Sequence, residues 1–122
     1  MLSIGTIVLG AADVRRAAAF WIEALAYTPR DGIADDWTVL VPADGRPGPG
    51  IALGLSDSPA QEHPRVHLDL YAADAAEQAA EVARLIALGA RRVDWALYPE
   101  APDFVVLADP EGNRFCVIDT SR

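Results

Sequence analysis

The sequence predicts an α+β fold in which one unit, a strand, a capped helix and further strands, is written twice. Two observations predict it. A β-rich run leads into an amphipathic helix capped by aspartate at Asp13 and again at Asp74, and strands follow each helix. The halves of the 122-residue chain also align with an offset of 61, so that Leu9, Ala11, Ala12, Asp13, Ala18, Ala19 and Ala26 fall on Leu70, Ala72, Ala73, Asp74, Ala79, Ala80 and Ala87. One domain over 1–122 follows, built of module 1 (1–60) and module 2 (61–122). Each unit alone leaves one sheet face bare, and a duplicated unit can turn those faces towards a concavity.

Ile4 to Leu9 is the first strand. Asp13 stands before a helix whose stripe is Val14, Ala17, Ala18, Trp21 and Leu25, and Pro29 bars its continuation beyond Thr28. Trp37 to Val41 and Ile51 to Leu55 read as strands joined by a long hairpin loop rich in Pro and Gly. The polar stretch 56–64 reads as a linker. Val66 to Tyr71 opens the second unit. Asp74 caps a helix with Ala75, Ala79, Val82 and Ile86 as its stripe, and Gly89 ends it. Arg91 to Trp95, Phe104 to Leu107 and Phe115 to Ile118 are the remaining strands. Asp109-Pro110-Glu111-Gly112-Asn113 forms the turn before the last.

Composition excludes several functions. The 18 acidic residues outnumber 10 basic ones, all arginine, for a net charge of −8. Nucleic acid and anionic membranes both call for a contiguous basic surface, so neither is an expected partner. Cys116 is the single cysteine, which rules out an intrachain disulfide and a multi-cysteine metal site. No leader or membrane-spanning run is visible, and the expected location is cytoplasmic. No glycine-rich phosphate loop precedes a helix.

Several segments together resemble a known superfamily. These are Asp13 with Phe20-Trp21 and Leu25-Ala26-Tyr27; Val66-His67-Leu68-Asp69-Leu70-Tyr71 with Leu88-Gly89-Ala90; and Leu107 through Cys116, including the Asp-Pro-Glu-Gly-Asn turn. The chain resembles the glyoxalase / bleomycin resistance protein / extradiol dioxygenase, or vicinal oxygen chelate, superfamily, and in particular its small glyoxalase-like domains. The resemblance implies paired βαβββ modules forming a U-shaped cup. In metal-using members it also implies a divalent ion held by a His or Gln on each module's first strand and a Glu on each last strand.

Carried over, those positions are Thr6 and His67 on the first strands, with Cys116 and a residue near Ala52 or Leu53 on the last. Only His67 keeps the pattern. No metal cofactor is therefore expected; the alternative is zinc on His67, Cys116 and Asp69, the last sharing a strand face with His67.

The same residues have other readings. His67 is a neutral, hydrogen-bonded histidine or a direct ligand contact. Cys116 is a small buried hydrophobe, or a nucleophile if its pKa is lowered. Arg114 shares parity with Cys116 and Ile118 and should face the cup. There its fork suits a ligand carboxylate; the alternatives are an ion pair with Asp69 or a side chain that snorkels to the rim. Trp37 and Trp95 form an aromatic wall or ordinary sheet packing, and Tyr98 closes over the opening.

The expected cup-lining set is Thr6, Trp37, His67, Asp69, Trp95, Tyr98, Arg114 and Cys116. The expected function is metal-independent binding of a small aromatic or carboxylate-bearing molecule by a likewise expected homodimer. The alternatives are a divalent-metal-dependent lyase, isomerase or dioxygenase acting on a vicinal-oxygen substrate, and a homodimeric structural or assembly module without a ligand.

Overall fold

The computed structural model describes all residues, Met1–Arg122. It divides into two compact units, Met1–Pro59 and Ala60–Arg122, each with a helix and a four-stranded sheet.

In the first unit β1 (Thr6–Ala11) leads into helix α1 (Val14–Leu25), followed by β2 (Tyr27–Pro29), β3 (Trp37–Pro42) and β4 (Gly50–Leu55). The sheet order is β1-β4-β3-β2, with β1 parallel to β4 and the other pairs antiparallel. Asp13 caps α1 as its sequence predicts, its Oδ1 accepting from the Arg16 N–H at 3.0 Å. Val14, Ala17, Ala18, Phe20, Trp21 and Ala24 are buried, and Leu25 is half-buried.

The helix stops where Ala26 turns into the left-handed region (φ 53°, ψ 48°). Arg46 secures that end: its Nη2 donates to the Ala26 carbonyl at 2.7 Å, a cation set where the helix dipole is negative. Strand β2 was not anticipated. It is a three-residue edge strand ending in Pro29, too short to show a period and tolerant of proline because it lies at the edge. The Pro/Gly loop holds a short 3₁₀ turn at Ala43–Gly45.

The second unit repeats the plan with β5 (Leu68–Ala72), α2 (Ala75–Leu88), β6 (Arg91–Arg92), β7 (Phe104–Ala108) and β8 (Arg114–Asp119). Its order is β5-β8-β7-β6, again with the first pair parallel. Asp74 accepts from the Glu77 N–H at 2.8 Å, and Glu77 reaches back to accept from the Ala73 N–H at 2.6 Å, satisfying two free amide donors at the helix start. At the other end Gly89 (φ 126°) lets the Ala90 N–H reach the Leu85 carbonyl at 3.0 Å.

The buried stripe of α2 differs from the expected one. Val82 and Leu85 are buried and Gln78 is half-buried, while Ala75, Ala79 and Ile86 are exposed. Gln78 Nε2 donates to the carbonyls of Asp103 and Val117, both at 3.0 Å, and this fixes which face meets the sheet. The predicted strand from Arg91 to Trp95 shrinks to two residues, leaving Trp95 off the sheet. No helix is long and apolar enough to cross a membrane.

Candidate functional site

In each sheet, residues paired across a ladder share a side, and alternate residues fall on opposite sides. Phe115 and Val117 are buried on the helix side of β8, so Arg114, Cys116 and Ile118 belong to the face turned away from the helix, as parity predicts. Register then sets Cys116 between Asp69 on β5 and Val106 on β7, and sets Arg114 opposite Ala108 and Ala108 opposite Arg91. His67, one residue before β5, is on the same side as Asp69.

The turn that launches β8 is built from one buried carboxylate. Asp109 Oδ1 accepts from the N–H groups of Glu111 and Asn113, both at 2.9 Å, and Gly112 takes φ 91°. Arg114 is tied to this turn through Nη1, which donates to the Gly112 carbonyl at 2.8 Å. Its Nε is buried and meets no hydrogen-bond partner. Buried guanidinium N–H groups without partners are costly, so this one calls for an acceptor. The ion pair with Asp69 that the sequence allowed does not form.

Asp69 is engaged elsewhere. Its Oδ1 lies 3.1 Å from His67 Nε2, and its carboxylate accepts a hydrogen bond from the Cys116 thiol. Burial, and then the Asp69 charge, push that thiol up to about 11. At neutral pH its thiolate fraction is about 10⁻⁴, which leaves Cys116 a buried, hydrogen-bonded thiol rather than a nucleophile.

The divalent ion that the resemblance implies needs three or four convergent donors. One donor atom each from His67, Asp69 and Cys116 lies within 4.8 Å of the other two. Imidazole, carboxylate and thiolate in that proximity suit zinc, with one of four positions left for a ligand. In unit 1 the equivalent positions carry nothing comparable: Thr6 pairs with Gly50, and Val8, the counterpart of Asp69, pairs with Ala52. Register thus identifies Ala52 rather than Leu53 as the counterpart of Cys116. When bound, such an ion would act as a Lewis acid on a substrate oxygen.

A recess of about 440 Å³ adjoins this face in the second unit, lined by Arg91, Arg114, Trp95, His63, Glu62, Asp94 and Val93. The rings of His63 and Trp95 stand 5.1 Å apart, tilted by 40°. Arg91 and His63 were not singled out from sequence. Parity alone places Arg91 on a sheet face, but only the β6–β7–β8 register places it opposite Arg114's row.

Tyr98, Thr6 and Trp37 are not among the residues that line this recess. Tyr98 is held at the edge of β7: its hydroxyl accepts from the Val106 N–H at 2.7 Å and its ring lies 5.3 Å from Phe104. Thr6 and Trp37 belong to the first unit. There Trp37 lies over Gly54, where an added Cβ would come within 3.2 Å of the indole. Trp37 also lines a recess of about 460 Å³ in the first unit, with Arg30, Gly32, Ile33 and Asp36 among its walls.

A family model described as a glyoxalase-like domain matches residues 6–118. Among solved structures, a glyoxalase-related enzyme from Fulvimarina pelagi is similar with a TM-score of 0.72 and 19% identity, over 98% of this chain and 88% of that one. A glyoxalase/bleomycin resistance protein/dioxygenase family enzyme from Burkholderia phytofirmans gives 0.74 and 14%, over 97% and 98%. A genomically encoded fosfomycin resistance protein from Listeria monocytogenes gives 0.73 and 18%, over 98% and 91%. No curated protein matches. At these identities the structures speak for the fold, two βαβββ-like modules, and the family model speaks for membership. The chain belongs to the glyoxalase-like domain family, within the vicinal oxygen chelate superfamily.

Proposed function

We propose that this glyoxalase-like domain binds a small carboxylate-bearing molecule in the recess beside Arg114 of its second unit, without needing a metal. The observation that carries the reading is the Arg114 Nε, buried without a partner beside the recess. A planar guanidinium with free N–H groups matches the two oxygens of a carboxylate. Nearby, Asp69 already holds both His67 and the Cys116 thiol, so those side chains are satisfied with no ion among them. The test is thermal shift with a panel of carboxylates on wild type and on Arg114→Gln, with Arg114→Lys keeping charge but not the fork. A ligand that prefers the folded state must raise the apparent melting temperature. Shifts in wild type that vanish in Arg114→Gln support the reading; no shift with any carboxylate overturns it.

A second reading, a divalent-metal-dependent lyase, isomerase or dioxygenase, is favoured by the convergence of His67, Asp69 and Cys116. Elemental analysis of protein purified without added metal, with zinc titration of wild type and His67→Ala, decides it. Stoichiometric zinc in wild type that is lost in His67→Ala would put this reading first. The reading also takes the protein as a cytoplasmic homodimer. Fractionation tests the location, and sedimentation at graded concentrations tests the dimer.

A further inference from the structure

We infer that the row Arg91–Ala108–Arg114, with the ring wall of Trp95 and His63, is a subsite for a planar aromatic monocarboxylate. The inference rests on the carboxylate reading above and narrows it to a ligand class.

Three adjacent strands supply the row. Arg91 on β6 pairs with Ala108 on β7, which pairs with Arg114 on β8, so all three side chains leave one face of the sheet in line. Neighbouring strands lie about 4.8 Å apart, which spaces the two arginine Cα atoms by roughly 10 Å. Ala108 between them is fully buried, and it is Arg91 and Arg114, one on either side of it in the ladder, that reach the recess. Arg91 makes no ion pair or side-chain hydrogen bond, and Arg114 uses only Nη1. Two arginines bordering one recess, neither neutralised by a carboxylate within ion-pair distance, form a site for an anion.

The walls determine the kind of anion. Trp95 and His63 both line this recess with their rings 5.1 Å apart, and a flat unsaturated body packs against such rings better than an alkyl one. The volume of about 440 Å³ admits a single-ring acid with room to spare. Glu62 and Asp94 stand on the exposed part of the lining. Water weakens their effect on a charge held deep against the buried Arg114 Nε. A second negative charge on the ligand would project towards them and be repelled. One carboxylate on an aromatic ring satisfies all three constraints.

Benzoate, cyclohexanecarboxylate and phthalate are the probes, with affinity read by titration calorimetry and by quenching of indole fluorescence. Benzoate is expected to bind several-fold more tightly than cyclohexanecarboxylate and phthalate. Trp95→Leu should remove the preference for benzoate over cyclohexanecarboxylate, Trp95→Phe should keep most of it, and Arg91→Gln should weaken both by about tenfold. Circular dichroism of each variant separates a lost site from a lost fold. Equal binding of benzoate and cyclohexanecarboxylate, unchanged in Trp95→Leu but abolished in Arg114→Gln, overturns the aromatic subsite and leaves the carboxylate reading standing. Phthalate binding as tightly as benzoate overturns the single-charge requirement. Binding of no probe overturns both.

Discussion

Asp69 faces Cys116 directly across the β5–β8 ladder and accepts the hydrogen of its thiol. The thiol's pKa rises from 9.0 to about 11, chiefly through burial and further through the carboxylate. Between those values the unfolded chain has released a proton that the native chain keeps, so native stability must fall as pH rises through the interval. We expect a loss on the order of 1–2 kcal/mol between pH 9 and pH 11 in wild type that is missing in Cys116→Ala. Urea unfolding at stepped pH measures it, and parallel slopes in the two proteins would refute it.

Replacing the carboxylate should free part of the thiol. Asp69→Asn removes the charge and leaves burial, so the pKa should move only part of the way back. Alkylation of Cys116 by iodoacetamide at pH 8 should quicken several-fold over wild type while remaining well below the rate in urea. An unchanged rate would mean that burial alone sets the reactivity.

The end of α1 carries a removable strain. Ala26 holds φ 53°, a conformation that costs an L-residue with a Cβ about 1 kcal/mol or more and costs glycine little. Ala26→Gly should therefore stabilise the protein by about 1 kcal/mol, a rise in melting temperature of about 4 °C. The contacts of Arg46 are to the backbone carbonyls of Leu25 and Ala26 and survive the change. A lower melting temperature would show that the Ala26 methyl makes a contact worth more than the strain.

The turn before β8 should be the costliest place to lose one carboxylate. Asp109 is 1% exposed and satisfies two backbone N–H groups at once. Asp109→Ala leaves both without that acceptor and should cost about 2–4 kcal/mol, whereas Asp109→Asn keeps an accepting oxygen and should cost clearly less. Chemical denaturation of the two variants checks this; equal losses would show that the negative charge, not the acceptor, holds the turn.

What the sequence made legible was local. Asp13 and Asp74 could be read as caps because a cap needs only its own first turn. Parity along β8 placed Arg114 and Cys116 together because alternation needs no partner strand. The face of α2 was misread because its alanines offer little contrast in polarity. The residue that fixes the face, Gln78, does so through carbonyls 25 and 39 positions away. Arg91 stayed hidden for the same kind of reason, since its position opposite Ala108 depends on a two-residue ladder that no periodicity announces. Trp95 is legible as a candidate wall, yet the strand that the sequence extends to it ends at Arg92.

The two units share a plan yet differ in contents. Where the second carries His67, Asp69, Arg114 and Cys116, the first carries Thr6, Val8, Gly50 and Ala52. Such a chain has one half free to drift. Related sequences should vary freely at the exposed positions 6 and 8 of β1, while the matching positions 67 and 69 of the second half change slowly. The inheritance of this protein would then be written at two speeds.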